Sequence, residues 1–379
     1  MSSNGMKPIA LLAALAASFA VAAEEPAPAR EQKPLVQIAL LLDTSGSMSG
    51  LIDQAKAQLW KVVNELATAK RGGVRPDLRI ALYEYGNDAL SAQGHWIRQV
   101  SALTDDLDKV SEQLFALTTN GGNEYCGAVI ERAANDLAWS SSSEDLKLIF
   151  IAGNEPFTQG PIDYRGAVKK AVEKGIAVNT VHCGPEAEGV ATGWRDGAVL
   201  ADGRFTIIDH NLVAVDVPTP HDAELAKLNG QLNATYVAYG ARGQASQQRQ
   251  AAQDANAAKM SAGSLATRAV SKASRFYDNA SWDLVDATVK GTVKVEEVKP
   301  EDLPEPMRKM TLAERKALVD RKAKERASLQ KQIAELSKAR TQFVANEQAK
   351  RAGSAADTLD AALIKAVHAQ AAKKKYTFE

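Results

Sequence analysis

The alternation of apolar and helical stretches predicts an α/β fold, a doubly wound, mainly parallel six-stranded sheet followed by a long-helix extension with a coiled-coil segment. Three observations carry it. The run Val36-Gln37-Ile38-Ala39-Leu40-Leu41-Leu42 is almost wholly apolar, as a strand buried on both faces must be. Two more such runs, 146–152 and 176–182, each follow a helical stretch, at 128–138 and 164–174, and that order requires crossover connections. Beyond residue 300 the strand signals stop, and a Thr311-Leu312-Ala313-Glu314 capping box opens one long helical pattern.

The elements follow in order. Lys7, the apolar stretch 9–22 and the small residues Ala20-Val21-Ala22-Ala23 make the three regions of a secretory signal peptide, residues 1–23, cleaved near Ala22 or Ala23. Its apolar part is shorter than the roughly 20 residues that span a bilayer. An exported, periplasmic protein is expected, with Pro26 to Lys33 as a polar leader and no transmembrane segment in the mature chain. A first domain is expected over 34–210. The second strand is 77–84, and 95–100 is a short edge strand. Thr104 caps a helix whose apolar stripe is Leu107, Val110, Leu114 and Leu117. Residues 204–209, after the Asp202-Gly203 turn, make the sixth strand.

A further unit, 211–240, reads as a helix from Pro218 to Leu232 and then a strand, 234–239, added to the sheet edge. A helical extension spans 244–350. It opens with an Ala/Gln/Ser-rich helix over 244–272, continues through the anchors Phe276, Tyr277 and Trp282, and crosses a proline connector at 299–306. In the coiled-coil segment, 311–350, Leu329, Ile333, Leu336 and Phe343 form a seam with Arg340 in register. The seam is expected to pack within the chain against 244–272, with oligomerisation as the alternative. Residues 351–379 read as a C-terminal helix with a basic tail.

Composition sets limits. A chain of 379 residues with 45% apolar content can bury the cores of two domains. Lys and Arg balance Asp and Glu at 46 each, but from 305 to 351 thirteen basic residues stand against six acidic ones. A solvated charged helix is the expected reading, and no nucleic-acid partner is expected.

The loop Asp43-Thr44-Ser45-Gly46-Ser47-Met48 follows the first strand directly, at the carboxyl end where open α/β sheets bind ligands. One carboxylate and two hydroxyls at alternate positions can aim oxygens at one point, a donor set that suits Mg²⁺ with water completing its shell. An ordinary capped strand-to-helix turn is the plain alternative. Asp-x-Ser-x-Ser, followed by a helix at 49–66, resembles the metal-ion-dependent adhesion motif of von Willebrand factor A domains. The resemblance covers about half the chain, to about His210. It implies a Rossmann-like fold, a protein-interaction role, a divalent cation (Mg²⁺, or Mn²⁺ or Ca²⁺) on Asp43, Ser45 and Ser47, and a partner that offers an acidic residue.

The same resemblance shows where the chain departs. The family's threonine in the loop after the third strand falls on Asn123, followed by Glu124. The family's aspartate at the end of the fourth strand is absent, because Ala152-Gly153-Asn154 stands in its place, followed by Glu155. Asn123 and Asn154 offer uncharged oxygens, and the missing charge weakens the site unless Glu124 or Glu155 supplies it. Cys126 and Cys183 fall near the same rim and, in an oxidising compartment, are expected to pair. His-Glu-x-x-His, Gly-x-Ser-x-Gly and phosphate-loop patterns do not occur, so a binding module is expected rather than an enzyme. The rivals are a metal-independent scaffold assembling through the helices and, less favoured, a hydrolase using Ser45 with one of the histidines.

Overall fold

The computed structural model describes Met1 and residues 33–209, 217–350 and 359–378. The expected signal peptide beyond Met1, His210 and the segment 351–358 lie outside the described residues. Strand β1 (Leu35–Asp43) leads through a 3₁₀ turn, Gly46–Met48, into α1 (Ser49–Ala67), which buries Leu51, Ile52, Leu59, Val63 and Leu66 along one stripe. Then come β2 (Ala69–Arg71), β3 (Asp77–Tyr85), β4 (Ile97–Thr104), α2 (Leu107–Phe115), α3 (Cys126–Asp136), β5 (Leu146–Gly153), α4 (Tyr164–Glu173) and β6 (Ile176–His182). Short helices α5 (Glu186–Ala191) and α6 (Trp194–Leu200) precede β7 (Phe205–Ile207). Asp106, not Thr104, caps α2, its side chain accepting from the Lys109 N–H.

The six-stranded sheet runs β4-β3-β1-β5-β6-β7, parallel except for β4. Alternation along β1 sends Val36, Ile38 and Leu42 into one core with α1 and α2, and Ala39 and Leu41 into the other with α3 and α4. Register places Asp43 beside Tyr85, and Leu42 beside Ala152.

A helical region follows: α7 (Asp222–Asn233), α8 (Gly243–Met260), α9 (Ala262–Ala273), α10 (Leu284–Val289), α11 (Glu305–Arg308) and α12 (Leu312–Lys350). Two expectations are corrected. Residues 234–239 are not a strand on the sheet edge: Val237 and Tyr239 pair locally with 282–284, and only one isolated bridge, Ala238 to Asp283, forms. The helix expected over 244–272 breaks at Ser261, whose extended backbone and side-chain bond to the Ser264 N–H start α9 afresh. The Thr311–Glu314 capping box forms in both directions. The seam of α12 packs within the chain, with Leu329 and Ile333 buried among Leu225, Leu228 and Leu232 of α7 and with Tyr236, Tyr277 and Trp282. Arg340 pairs with Asp222 at 2.7 Å, and the Phe343 ring stands edge-on to His221.

The helical region docks through a buried ion network. Arg268 of α9, fully enclosed, reaches Asp108 of α2 at 2.8 Å and Asp254 of α8 at 2.6 Å, with its guanidinium 4.6 Å over Trp60 of α1. Lys272 adds a second cation on Asp254 at 2.8 Å. The chain then returns to the α/β unit. Helix α13 (Leu359–Lys373) lays Leu359, Ala362, Leu363, Ala366, Val367 and Ala371 into the same core as Val36, Ile38 and α1, and β8 (Tyr376–Phe378) pairs with β2.

Candidate functional site

The candidate site lies at the carboxyl end of β1. Asp43 is fully buried there, its Oδ1 accepting from the Ser45 N–H at 2.7 Å. That bond bends the chain so that the Ser45 and Ser47 hydroxyls come within 3.3 Å of each other. Ser45 occupies the N-cap position of the 3₁₀ turn without a side-chain capping bond, and α1 also starts without one. The two hydroxyls are therefore not consumed as caps, while Asp43 makes the turn bond to the Ser45 N–H.

Two loops converge on the motif. Asn154, just past β5, donates from Nδ2 to the Ser47 hydroxyl at 3.3 Å. The loop ahead of α3 is pinned by Asn120 N–H to the Thr44 carbonyl at 3.0 Å and by Glu124 N–H to the Gln159 side chain at 2.6 Å. Within that loop Asn123 is exposed, whereas Glu124 turns inward and is 5% exposed. Glu155 is half-buried; its backbone carbonyl accepts from the Trp194 indole at 2.8 Å.

Burial pushes the Asp43 and Glu124 carboxyls up from their ordinary range, and the charge of Asp43 beside Glu124 pushes the latter further. Glu155 adds a smaller push of the same sign to both. Three oxygens are buried around the motif, Asp43 Oδ2, Glu124 Oε2 and Asn154 Oδ1; the Asp43 and Glu124 carboxyls lie within hydrogen-bonding reach of each other and of Ser45, so a shared proton or a cation can satisfy the pair. Acceptors of this kind are expensive to bury without a cation or a proton. They are hard oxygens beside two hydroxyls, the donor chemistry that Mg²⁺ or Ca²⁺ selects.

The cysteines do not pair. Cys126 opens α3 in the core on one face of the sheet, Cys183 follows β6 into the core on the opposite face, and both are free thiols. The expected disulfide, which needs Cα atoms about 4.4 to 6.8 Å apart, is thereby corrected: the sheet lies between the two side chains. Burial pushes both thiols up.

Two residues that the motif reading passed over shape the site. Tyr85, the last residue of β3, donates its hydroxyl to the Ala152 carbonyl at 3.0 Å and fills the space beside Gly153. Gly86, at φ +80°, leaves room for the Glu124 side chain. A glycine directly after an alternating strand was the available signal for Gly86; nothing in the alternation distinguished Tyr85 from core.

Comparison with known proteins bears on the same segment. A family model described as the von Willebrand factor type A domain matches residues 37–191. Solved structures similar to the chain include BatB from Bacteroides thetaiotaomicron, 16% identical over 46% of this chain and 90% of that one, with a TM-score of 0.35. The vWF domain of the type V pili tip protein Mfa5 from Porphyromonas gingivalis is 13% identical over 46% and 90%, with a TM-score of 0.34. The SpRpn10 VWA domain is 16% identical over 46% and 88%, with a TM-score of 0.35. No curated protein matches the chain. From the family match and the sheet that carries the Asp-x-Ser-x-Ser loop, residues 37–191 are a von Willebrand factor type A domain.

Proposed function

We propose that the chain is an exported, periplasmic interaction module whose rim binds a divalent cation, Mg²⁺ first among them, and through it an acidic group of a protein partner. Asp43, Ser45 and Ser47 would hold the ion, with Asn154 and the more exposed Asn123 at its margin. The convergence of buried oxygens of Asp43 and Asn154 around the two serine hydroxyls is the observation that carries this reading. When bound, the ion supplies an electrophilic point at which a carboxylate from outside can complete the shell. The chain's own residues do the positioning: the Ser45 amide orients Asp43, and Asn154 orients Ser47. The exported location is supported by the leader pattern alone. No helix among the described residues is long and apolar enough to cross a membrane.

A binding role agrees with the neighbours of Ser45, whose hydroxyl lies against Ser47 rather than a histidine ring. The test is capture of partners by the immobilised full chain in Mg²⁺ and in EDTA. Proteins retained in Mg²⁺, released by EDTA and lost with Asp43→Ala are expected. A retained set indifferent to both chelator and Asp43→Ala would turn the reading toward a metal-independent scaffold.

A further inference from the structure

We propose that Glu124 replaces the aspartate missing from the end of β5, making the cation site a two-carboxylate centre. The inference rests on the cation reading of the same rim.

Gly153 stands where the missing side chain would begin. A Cβ placed on it would lie 2.5 Å from the Tyr85 hydroxyl and 2.9 Å from Asp43 Oδ2. That direction points at the Asp43 carboxylate, but the tyrosine hydroxyl, tied to the Ala152 carbonyl, already fills it. No side chain fits at 153 while Tyr85 is present.

The opposite side of Asp43 has been cleared instead. A Cβ on Gly86 would meet Glu124 Cγ at 2.6 Å and Asp43 Oδ1 at 2.9 Å, so this glycine makes the gap through which Glu124 reaches Asp43. A Cβ on Gly122 would lie 2.4 Å from the Gly86 carbonyl, so a second glycine lets the loop press onto the end of β3. The Gln159 side chain then fixes the Glu124 amide at 2.6 Å. Two glycines and a side-chain clamp thus place one acidic side chain inside, while Asn123 faces solvent. Glu124 Oε2 and Asp43 Oδ2 are both buried, and the two carboxyls face each other and the Ser45 hydroxyl at hydrogen-bonding range, the arrangement of oxygens that a cation between them would use. Two carboxylates balance the charge of a divalent ion, so the centre holds its ion between encounters with partners, and charge count sets affinity at such sites.

Mn²⁺ titration of the full chain, followed by the paramagnetic signal of the free ion and by calorimetry, tests this. The wild type is expected to bind one Mn²⁺. Glu124→Gln is expected to weaken binding on the order of tenfold to a hundredfold, and Glu155→Gln to leave it within about twofold. Gly153→Asp gives no gain, because Tyr85 blocks it. Equal affinity in wild type and Glu124→Gln overturns the role of Glu124 and leaves the cation reading standing. No binding by the wild type overturns the cation reading itself. Should Glu124→Gln fail to fold, the wild type alone decides: in a Mg²⁺ titration followed by carbon NMR, the Glu124 Cδ signal moves together with Asp43 Cγ. A Glu124 signal that stays in place while Asp43 moves overturns the proposal.

Discussion

Asp43 and Glu124 set the stability of the site against pH. Both carboxyls titrate higher in the folded chain than in the unfolded one, so the folded chain binds more protons once the pH exceeds the ordinary carboxylate range near about 4. Their contribution is complete in acid and is lost as pH rises toward the folded values, at no more than about 1.4 kcal/mol per pH unit for each proton. In EDTA, melting of the wild type is therefore expected to fall between pH 5 and 8, and Glu124→Gln to flatten that slope and melt higher at pH 8. A wild-type slope unchanged by Glu124→Gln would show that the pair does not share the burden. At this scale the sequence was legible where chemistry sits in a contiguous motif: the Ser45 and Ser47 hydroxyls lie 3.3 Å apart, and Asp43 accepts from the Ser45 N–H. It was not legible where three-dimensional crowding decides. Which of Glu124 and Glu155 turns inward depends on Gly86 and Gln159, each more than thirty positions away from one of them, and the blocking role of Tyr85 depends on strand register.

Elements were read well where period and burial agree, and less well where polar local contacts compete with propensity. Strands β1, β5 and β6 fall within a residue or two of their apolar runs because each is buried on both faces. Residues 234–239 alternate like a strand, yet Asp283 accepts from the Val237 N–H and Arg326 binds the Thr235 carbonyl, so their backbone is satisfied away from the sheet. Ser261 interrupts a stretch of good helix formers by capping the next helix. The cysteines are the clearest case. Proximity along one rim suggested pairing, but whether a residue at the end of a strand faces up or down is settled by a single step of register. Titration of unfolded, unreduced protein is accordingly expected to find two thiols, and in the folded protein both should react slowly, being buried with raised pKa values. Absence of free thiols in the unfolded protein would contradict the placement of Cys126 and Cys183 on opposite faces.

At the scale of the whole molecule, the chain leaves the α/β unit after β7 and comes back to it. Reading along the sequence gave a C-terminal helix with a basic tail and no place for it in the core of the sheet, because helix α13 is Ala-rich and separated from β7 by more than a hundred residues. Its partners are invisible to local periodicity, since they lie on α1, β5 and β6. Nonetheless Leu363 is buried in the core of the sheet, whereas Leu312, at the start of α12, is an exposed leucine of a helix of much greater length. Removing a buried leucine side chain loses its transfer free energy and leaves a cavity, together about 2 to 5 kcal/mol, while the same change on the surface stays within about 0.5 kcal/mol. Leu363→Ala is therefore expected to lower stability in urea by that larger amount, comparable with Leu41→Ala in β1, and Leu312→Ala to leave the midpoint unchanged. A chain ending at Gly240 loses α13 together with the α9 side chains that cover Trp60, and is expected to be insoluble rather than merely less stable. If Leu363→Ala were as mild as Leu312→Ala, α13 would be a dispensable arm and the α/β unit would close without it.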